Sequence, residues 1–327
     1  MLAAYAPALA EGDTLGVAEV LRTSTAESAR PLAVVMPADP SFTVAPAYAE
    51  GDPPALPLFP AIEEAVRALG RVARYAAWRR EPIGTLPPLP GVDTALGTEV
   101  AARLAAAGTT DRDADELLSA YGIPVVPSKW AAGASVGAVA ATFGYPVALK
   151  VATKPWRHRL DLGAVRLNLT SADLVEEAYR ELERLFGRDV DVVVQPMVAP
   201  GVACVIEVVD DPAFGPVVGF GLGGEAADLL GDRAWRPVPL TDHDAAALVR
   251  APRAAPLLTG YRGSAPVDLD ALADLLLRIG RLVDEQPALS ALTLNPILAR
   301  PQDIAVLHAT ADFTPHLPRP DQGPRRL

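Results

Sequence analysis

A single cysteine, Cys204, in 327 residues leaves no intrachain disulfide framework and no thiolate metal cage. It sits in the apolar run Val202-Ala-Cys-Val-Ile206 and reads as a buried, inert thiol. The chain has four histidines, and His243 and His316 have no companions at ligand spacing, so no zinc site is expected. Long apolar runs are missing too: none approaches the ~20 residues that a membrane helix needs. Basic residues are outnumbered, giving a formal net charge of −11. Nucleic acid and anionic membrane would both be repelled, so neither is an expected partner and any anion site must be local. The opening MLAAYAPALAEGD lacks the Lys or Arg that begins a secretory signal, and Pro7 interrupts it. A cytoplasmic location is the default. No G-x-x-x-x-G-K-[ST] is present, which excludes a P-loop.

What remains is the composition of a globular protein, with half the residues hydrophobic and 21% charged. The length suits two units, each able to bury its own core. Residues 1–82 read as an α/β unit. Pro31-Leu-Ala-Val-Val-Met36 is a buried strand, and Ile62, Val66, Leu69, Val72 and Ala73 recur at helical spacing behind Glu63 and Glu64. Such a unit normally has four or five parallel strands, so this one looks partial. The run Glu81-Pro-Ile-Gly-Thr-Leu-Pro-Pro-Leu-Pro-Gly91 opens a proline-rich linker assigned to residues 83–110.

From residue 111 the pattern becomes α+β. Helices are expected over 113–120, 135–143, about 170–186 (capped by Thr170 with Asp173) and 268–284. Strands are expected over 146–152, 164–169, 191–194, 203–209, 291–294 and 304–308, with another running from 216 into a glycine turn. The tail, 313–327, is expected to fray.

The chemistry concentrates in Lys150-Val-Ala-Thr-Lys-Pro-Trp-Arg-His-Arg-Leu-Asp-Leu-Gly-Ala-Val165. Lys150 closes a strand beside a glycine-containing loop, where a fixed ammonium suits phosphate oxygens; a solvated surface lysine fits the same spacing. His158 lies between Arg157 and Arg159, whose charge keeps an imidazole neutral and nucleophilic, although an exposed loop histidine is often simply solvated. Gly221-Leu-Gly-Gly224 offers unobstructed backbone N–H groups, and Asn295-Pro296 offers an amide oxygen to a hard cation or else merely begins a turn.

Together these positions resemble the ATP-grasp domain of ADP-forming acyl-CoA synthetases, the acetate–CoA ligase group. The family pattern K-V-x-S-P-x-x-x-H-K-S-D-x-G-G-V-R-L is answered by Lys150-Val151, His158-Arg-Leu-Asp161 and Gly163-Ala-Val-Arg-Leu167. Further blocks follow in order: Val194-Gln195-Pro-Met197, Asp211-Pro-x-Phe-Gly-Pro216, Gly221-Leu-Gly-Gly224, Asp232-Arg-Ala-Trp-Arg236, Gly260-Tyr-Arg-Gly263 and Leu294-Asn-Pro296. The resemblance implies an ATP-grasp domain over residues 111–312, preceded by part of a ligase-type flavodoxin-like domain. The family's CoA-binding domain has no counterpart in these residues.

The implied reaction interconverts ATP, a carboxylic acid and CoA with ADP, phosphate and acyl-CoA. The implied nucleotide-binding residues are Lys150, Asp161, Gly163, Val194, Gln195, Met197, Gly221, Gly223, Gly224 and Arg236, with Val194 to Met197 as the adenine hinge. His158 is the implied phosphoryl acceptor. ATP/ADP and Mg²⁺ are the implied ligands, Asn295 a metal ligand, and a CoA-binding subunit or domain from another chain the implied partner. Relatives fused to GNAT acetyltransferases suggest a second association. The family's acidic residues before Asn-Pro and in the final strand are here Thr293 and His308, its G-V-E glutamate is Ala203, and its second loop glycine is Ala164. Neutral Thr and His do not balance a divalent cation as carboxylates do. Three readings therefore stand side by side: a phosphoryl-transferring ligase component; a nucleotide-binding or structural module without chemistry; and a truncated gene product, or a chain encoded beside an acetyltransferase that it regulates.

Overall fold

The computed structural model describes residues 2–5, 32–35, 58–59, 61–107, 114–152 and 162–313. The chain forms two compact units, Met1–Pro82 and Ile83–Leu327. In the first, β1 (Leu2–Tyr5), β2 (Leu32–Val35) and β3 (Leu58–Phe59) form a parallel sheet in that order. Helix α1 (Ile62–Trp78) carries Glu63 and Glu64 in its first turn, where their charge complements the exposed N–H groups. Ala65 and Leu69, four residues apart, bury one stripe of α1 with Ala33 and Val35 of β2.

The segment expected to run as a linker to residue 110 gives way at Thr94 to helix α2 (Thr94–Ala107). Asp93 caps it by accepting from the Leu96 N–H (3.0 Å), and Val100 and Leu104, one turn apart, are buried in the main core. No proline falls between residues 91 and 123, and the alanine-rich run there has high helix propensity. The residues ahead of α2 are also docked: Thr85 donates its N–H to Asp242 (2.8 Å) and receives the Asp242 N–H at its carbonyl (2.9 Å). Helix α3 (Ala114–Ala120) follows and buries Leu117 and Leu118.

A four-stranded antiparallel sheet comes next, ordered β4-β7-β5-β6 from β4 (Lys129–Ala131), β5 (Val147–Val151), β6 (Val165–Leu169) and β7 (Val192–Pro196). Helices α4 (Ser135–Phe143) and α5 (Ala172–Phe186) cover one face, packing Val136, Val175 and Leu182 on Leu149, Val151 and Val194. The cap of α5 is Ser171, whose hydroxyl accepts from the Leu174 N–H, rather than the expected Thr170. Both residues are capping types, and the helix boundary falls one residue later than the pattern suggested.

A six-stranded sheet completes the unit. It runs β10-β9-β8-β11-β12, from β8 (Val202–Asp211), β9 (Gly215–Leu222), β10 (Arg233–Pro237), β11 (Leu289–Ala299) and β12 (Ile304–Val306), with β13 (Ala309–Phe313) also on β11. Helices α6 (Glu225–Leu230), α7 (Asp242–Arg250) and α8 (Leu269–Glu285) join them. Cys204, Ile206, Val208, Val218, Phe220, Leu222, Leu292 and Leu294 form one face of the sheet and share a core with Leu272, Leu275, Leu276 and Ile279 of α8. Burial pushes the Cys204 thiol up to about 12, as an inert core cysteine requires. The strand expected to stop at Leu294 continues through Asn295-Pro296 to Ala299, and pairing with β8 slips between Leu294 and Ile297. Proline has no N–H for the ladder, and the irregularity in register accommodates it. Among the described residues no helix is long and apolar enough to cross a membrane.

Candidate nucleotide site

Both antiparallel sheets bury one face under helices and turn the other away from them. On β5, Val147, Leu149 and Val151 enter the core, so Lys150 projects from the opposite face by strand alternation. Gln195 of β7 shares that face, because it pairs with Ala148 whereas its buried neighbour Val194 pairs with Leu149. Lys150 Nζ donates to Gln195 Oε1 at 2.6 Å. Burial lowers the Lys150 ammonium from 10.5 to about 8, so it stays mostly charged at neutral pH. Gln195 is 2% exposed, and its Nε2 donates to the Val126 carbonyl (3.0 Å) and the Leu307 carbonyl (2.9 Å). Leu307 lies between β12 and β13, so one amide ties the open face of the four-stranded sheet to the six-stranded one. The next residue, His308, accepts the Asn295 N–H at its carbonyl (3.0 Å). Lys150 and Gln195 are thus tied to the Leu307 carbonyl, whose chain neighbour His308 takes the Asn295 N–H.

The remaining expected residues lie on other strands and turns. Val194 is buried in the core of the four-stranded sheet, and the Met197 N–H is bonded to the Pro146 carbonyl (3.0 Å). Gly163 has φ +69 and its carbonyl accepts from Arg166, which pairs with Glu181 of α5 (3.1 Å), so the turn after the loop is stapled to a helix. Gly223 gives its N–H to the Ala203 carbonyl (2.8 Å), and Gly224 takes φ +100. Arg236 pairs with Val218, on the core-facing side of β10, at the sheet edge. His158 and Asp161 lie outside the described residues.

Gly221 lies in β9 opposite Arg233 of β10. A Cβ there would come within 2.5 Å of the Asp232 carbonyl oxygen and 2.7 Å of Arg233 Cδ. At Gly219 it would come within 2.7 Å of the Trp235 ring. Two glycines in β9 thus let Arg233 and Trp235 of β10 lie flat across it. Arg233 reaches past Gly221 to β8, with Nε 3.5 Å from Glu207, while Nη1 donates to the Leu222 carbonyl (2.9 Å). Glu207 in turn faces Thr293 across the β8–β11 ladder, and Thr293 faces Thr310 of β13. This pair was not anticipated from the motifs; its sequence signal is the G-x-G alternation of β9 opposite the R-x-W alternation of β10.

The chain belongs to the ATP-grasp family, whose domain matches residues 103–312. Within that family it is 35% identical over 194 residues to the acetate–CoA ligase [ADP-forming] I subunit beta of Pyrococcus furiosus, covering 57% of this chain and 84% of that one. It is 33% identical over 297 residues to a trans-feruloyl-CoA synthase from an unidentified prokaryote, covering 86% of this chain and 40% of that longer protein. Among solved structures, a chain of the dinucleotide forming acetyl-coenzyme A synthetase 1 of Ca. Korarchaeum cryptofilum, in complex with coenzyme A and Ca-AMPCP, aligns with TM-score 0.60 and 33% identity, covering 67% of this chain and all of that one. The same enzyme has been solved with Mg-AMPPCP and a phosphohistidine segment pointing towards the nucleotide binding site.

Proposed function

We propose that this chain is the ATP-binding component of an ADP-forming acyl-CoA ligase, working with a CoA-binding subunit or domain supplied by another chain. The observation that carries this reading is the Lys150–Gln195 arrangement: a partly buried, mostly charged ammonium, oriented by a buried amide, on the face of the four-stranded sheet turned away from its helices. Lys150 supplies a point charge to phosphate oxygens, and the backbone around Val194 to Met197 borders the base. In this reading an imidazole nitrogen of His158 attacks the γ-phosphorus, the bond from that phosphorus to the β–γ bridging oxygen breaks, and ADP leaves.

The donor set does not fit a magnesium ion. Hard divalent cations are held by carboxylates with carbonyls and water. Here Thr293, Asn295 and His308 supply no carboxylate, and Glu207, the carboxylate opposite Thr293, is paired with Arg233. Among the described residues no three His, Cys, Asp or Glu side chains gather as a metal site. No step is therefore assigned to the metal.

This donor set favours a second reading, a nucleotide-binding module without chemistry, for which association with an acetyltransferase offers a regulatory context. Incubation with γ-labelled ATP separates the two. The ligase reading expects an acid-labile label on the wild type that His158→Ala lacks. Should the wild type stay unlabelled even with a CoA-binding partner and Mg²⁺ present, the binding module is what remains.

A further inference from the structure

We infer that Arg233 is a fixed cation of the polyphosphate subsite, beside Thr293 and the ion-paired Glu207, so that this chain binds nucleoside triphosphate without a divalent ion. The inference rests on the ATP-binding reading above and deepens it. Three strands place the guanidinium. Trp235, Gly219, Glu207 and Thr293 form one row across β10, β9, β8 and β11; Arg233, Gly221 and Val205 form the adjacent row. All of these lie on the face opposite Val218, Phe220 and Leu222, which are buried under the helices. Strands are ~4.8 Å apart, so a side chain rooted on β10 reaches β8 only by lying across the strand between them. Gly221 permits that crossing, since any side chain there would collide with the Arg233 stem.

The arrangement fixes a cation. The Arg233 side chain is 12% exposed, held at one end by the Leu222 carbonyl and along its edge by Glu207. Holding an arginine side chain in one conformation removes entropy that a ligand would otherwise have to remove, and the planar guanidinium matches phosphate oxygens. Glu207 is the carboxylate opposite Thr293, and its ion pair with Arg233 leaves it a poor ligand for a cation. The same ion pair thus disfavours a divalent cation and positions a guanidinium in its neighbourhood.

The test is titration of the full chain with ATP in EDTA and again in Mg²⁺. Affinities in the two conditions should agree within about threefold, and Arg233→Met should weaken binding in EDTA by about tenfold or more, as expected for loss of a charge-assisted phosphate contact. Arg233→Lys should fall between them. Because Arg233→Met also strips Glu207 of its partner, Glu207→Gln serves as an independent arm: it removes the competing charge and should strengthen binding in EDTA. Wild-type binding seen only with Mg²⁺, or unchanged affinity in both Arg233→Met and Glu207→Gln, overturns the inference while leaving the ATP-binding reading intact. Absence of binding in both conditions overturns the two together.

Discussion

Lys150→Met should raise the dissociation constant for ATP by about 10- to 150-fold, measured by calorimetry at neutral pH, because a hydrogen bond to a charged group contributes about 1.5–3 kcal/mol. The substitution keeps the length of the apolar stem and removes only the ammonium, so the strand and the core behind it persist. The wild type should carry a pH signature that the variant lacks. Lys150 releases its proton near pH 8 in the folded chain and near 10.5 when unfolded. Affinity for ATP should therefore decline as pH rises through about 8, as the ammonium neutralises. The stability contribution has the opposite sign. Between the two values the unfolded chain holds the proton and the folded chain has lost it, so this group favours folding increasingly as pH climbs across that window. A pH-independent affinity between 7 and 9.5 would remove Lys150 from the phosphate site.

Gln195→Leu should be the more damaging change to the fold. One side chain satisfies three partners: it accepts from Lys150 and donates to the Val126 and Leu307 carbonyls. Leucine fills most of the volume but strips hydrogen bonds from a partly buried ammonium and two backbone carbonyls, and unsatisfied groups of this kind cost about 1–3 kcal/mol each. We expect a loss of about 2–5 kcal/mol in denaturant unfolding, within the range reserved for broken buried networks. Combining it with Lys150→Met should recover part of that loss, since the ammonium is then no longer stranded. Additive effects in the double variant would mean that the Lys150–Gln195 contact contributes nothing to the network.

Much of this architecture is legible where burial imposes a period. Leu272, Leu275, Leu276 and Ile279 mark α8 because one stripe must face the sheet, and α5 reads clearly for the same reason. Helix α2 was obscured by the prolines before it, although Val100 and Leu104 stand one turn apart and Asp93 is an ordinary cap. Strand β10 was missed because its arginines suggest a solvated loop; what makes Arg233-Ala-Trp-Arg-Pro237 a strand is pairing with β9, a long-range fact. Helix α7 carries a local signal in the sequence, the Thr241/Asp244 capping box.

The site divides along the same line. That Lys150 lies near the end of a strand is legible from the apolar run before it, and β5 ends at Val151. Gln195 was named for its backbone, as part of a hinge, while the structure shows its side chain bonded to both sheets. Gly221 was named as a phosphate-approach glycine, and its immediate neighbour is the Arg233 stem. The Glu207–Arg233 pair depends on the register of three strands, and neither residue is distinctive until Gly219 and Gly221 are seen beneath Trp235 and Arg233. Local spacing reveals which residue types are present; strand register decides which of them meet.

If this chain binds ATP on the face carrying Lys150, a calorimetric titration of the full wild-type chain should show saturable binding of one ATP per chain that Lys150→Met weakens. No saturable binding at any ATP concentration up to the millimolar range, from chain shown to be folded, would contradict it.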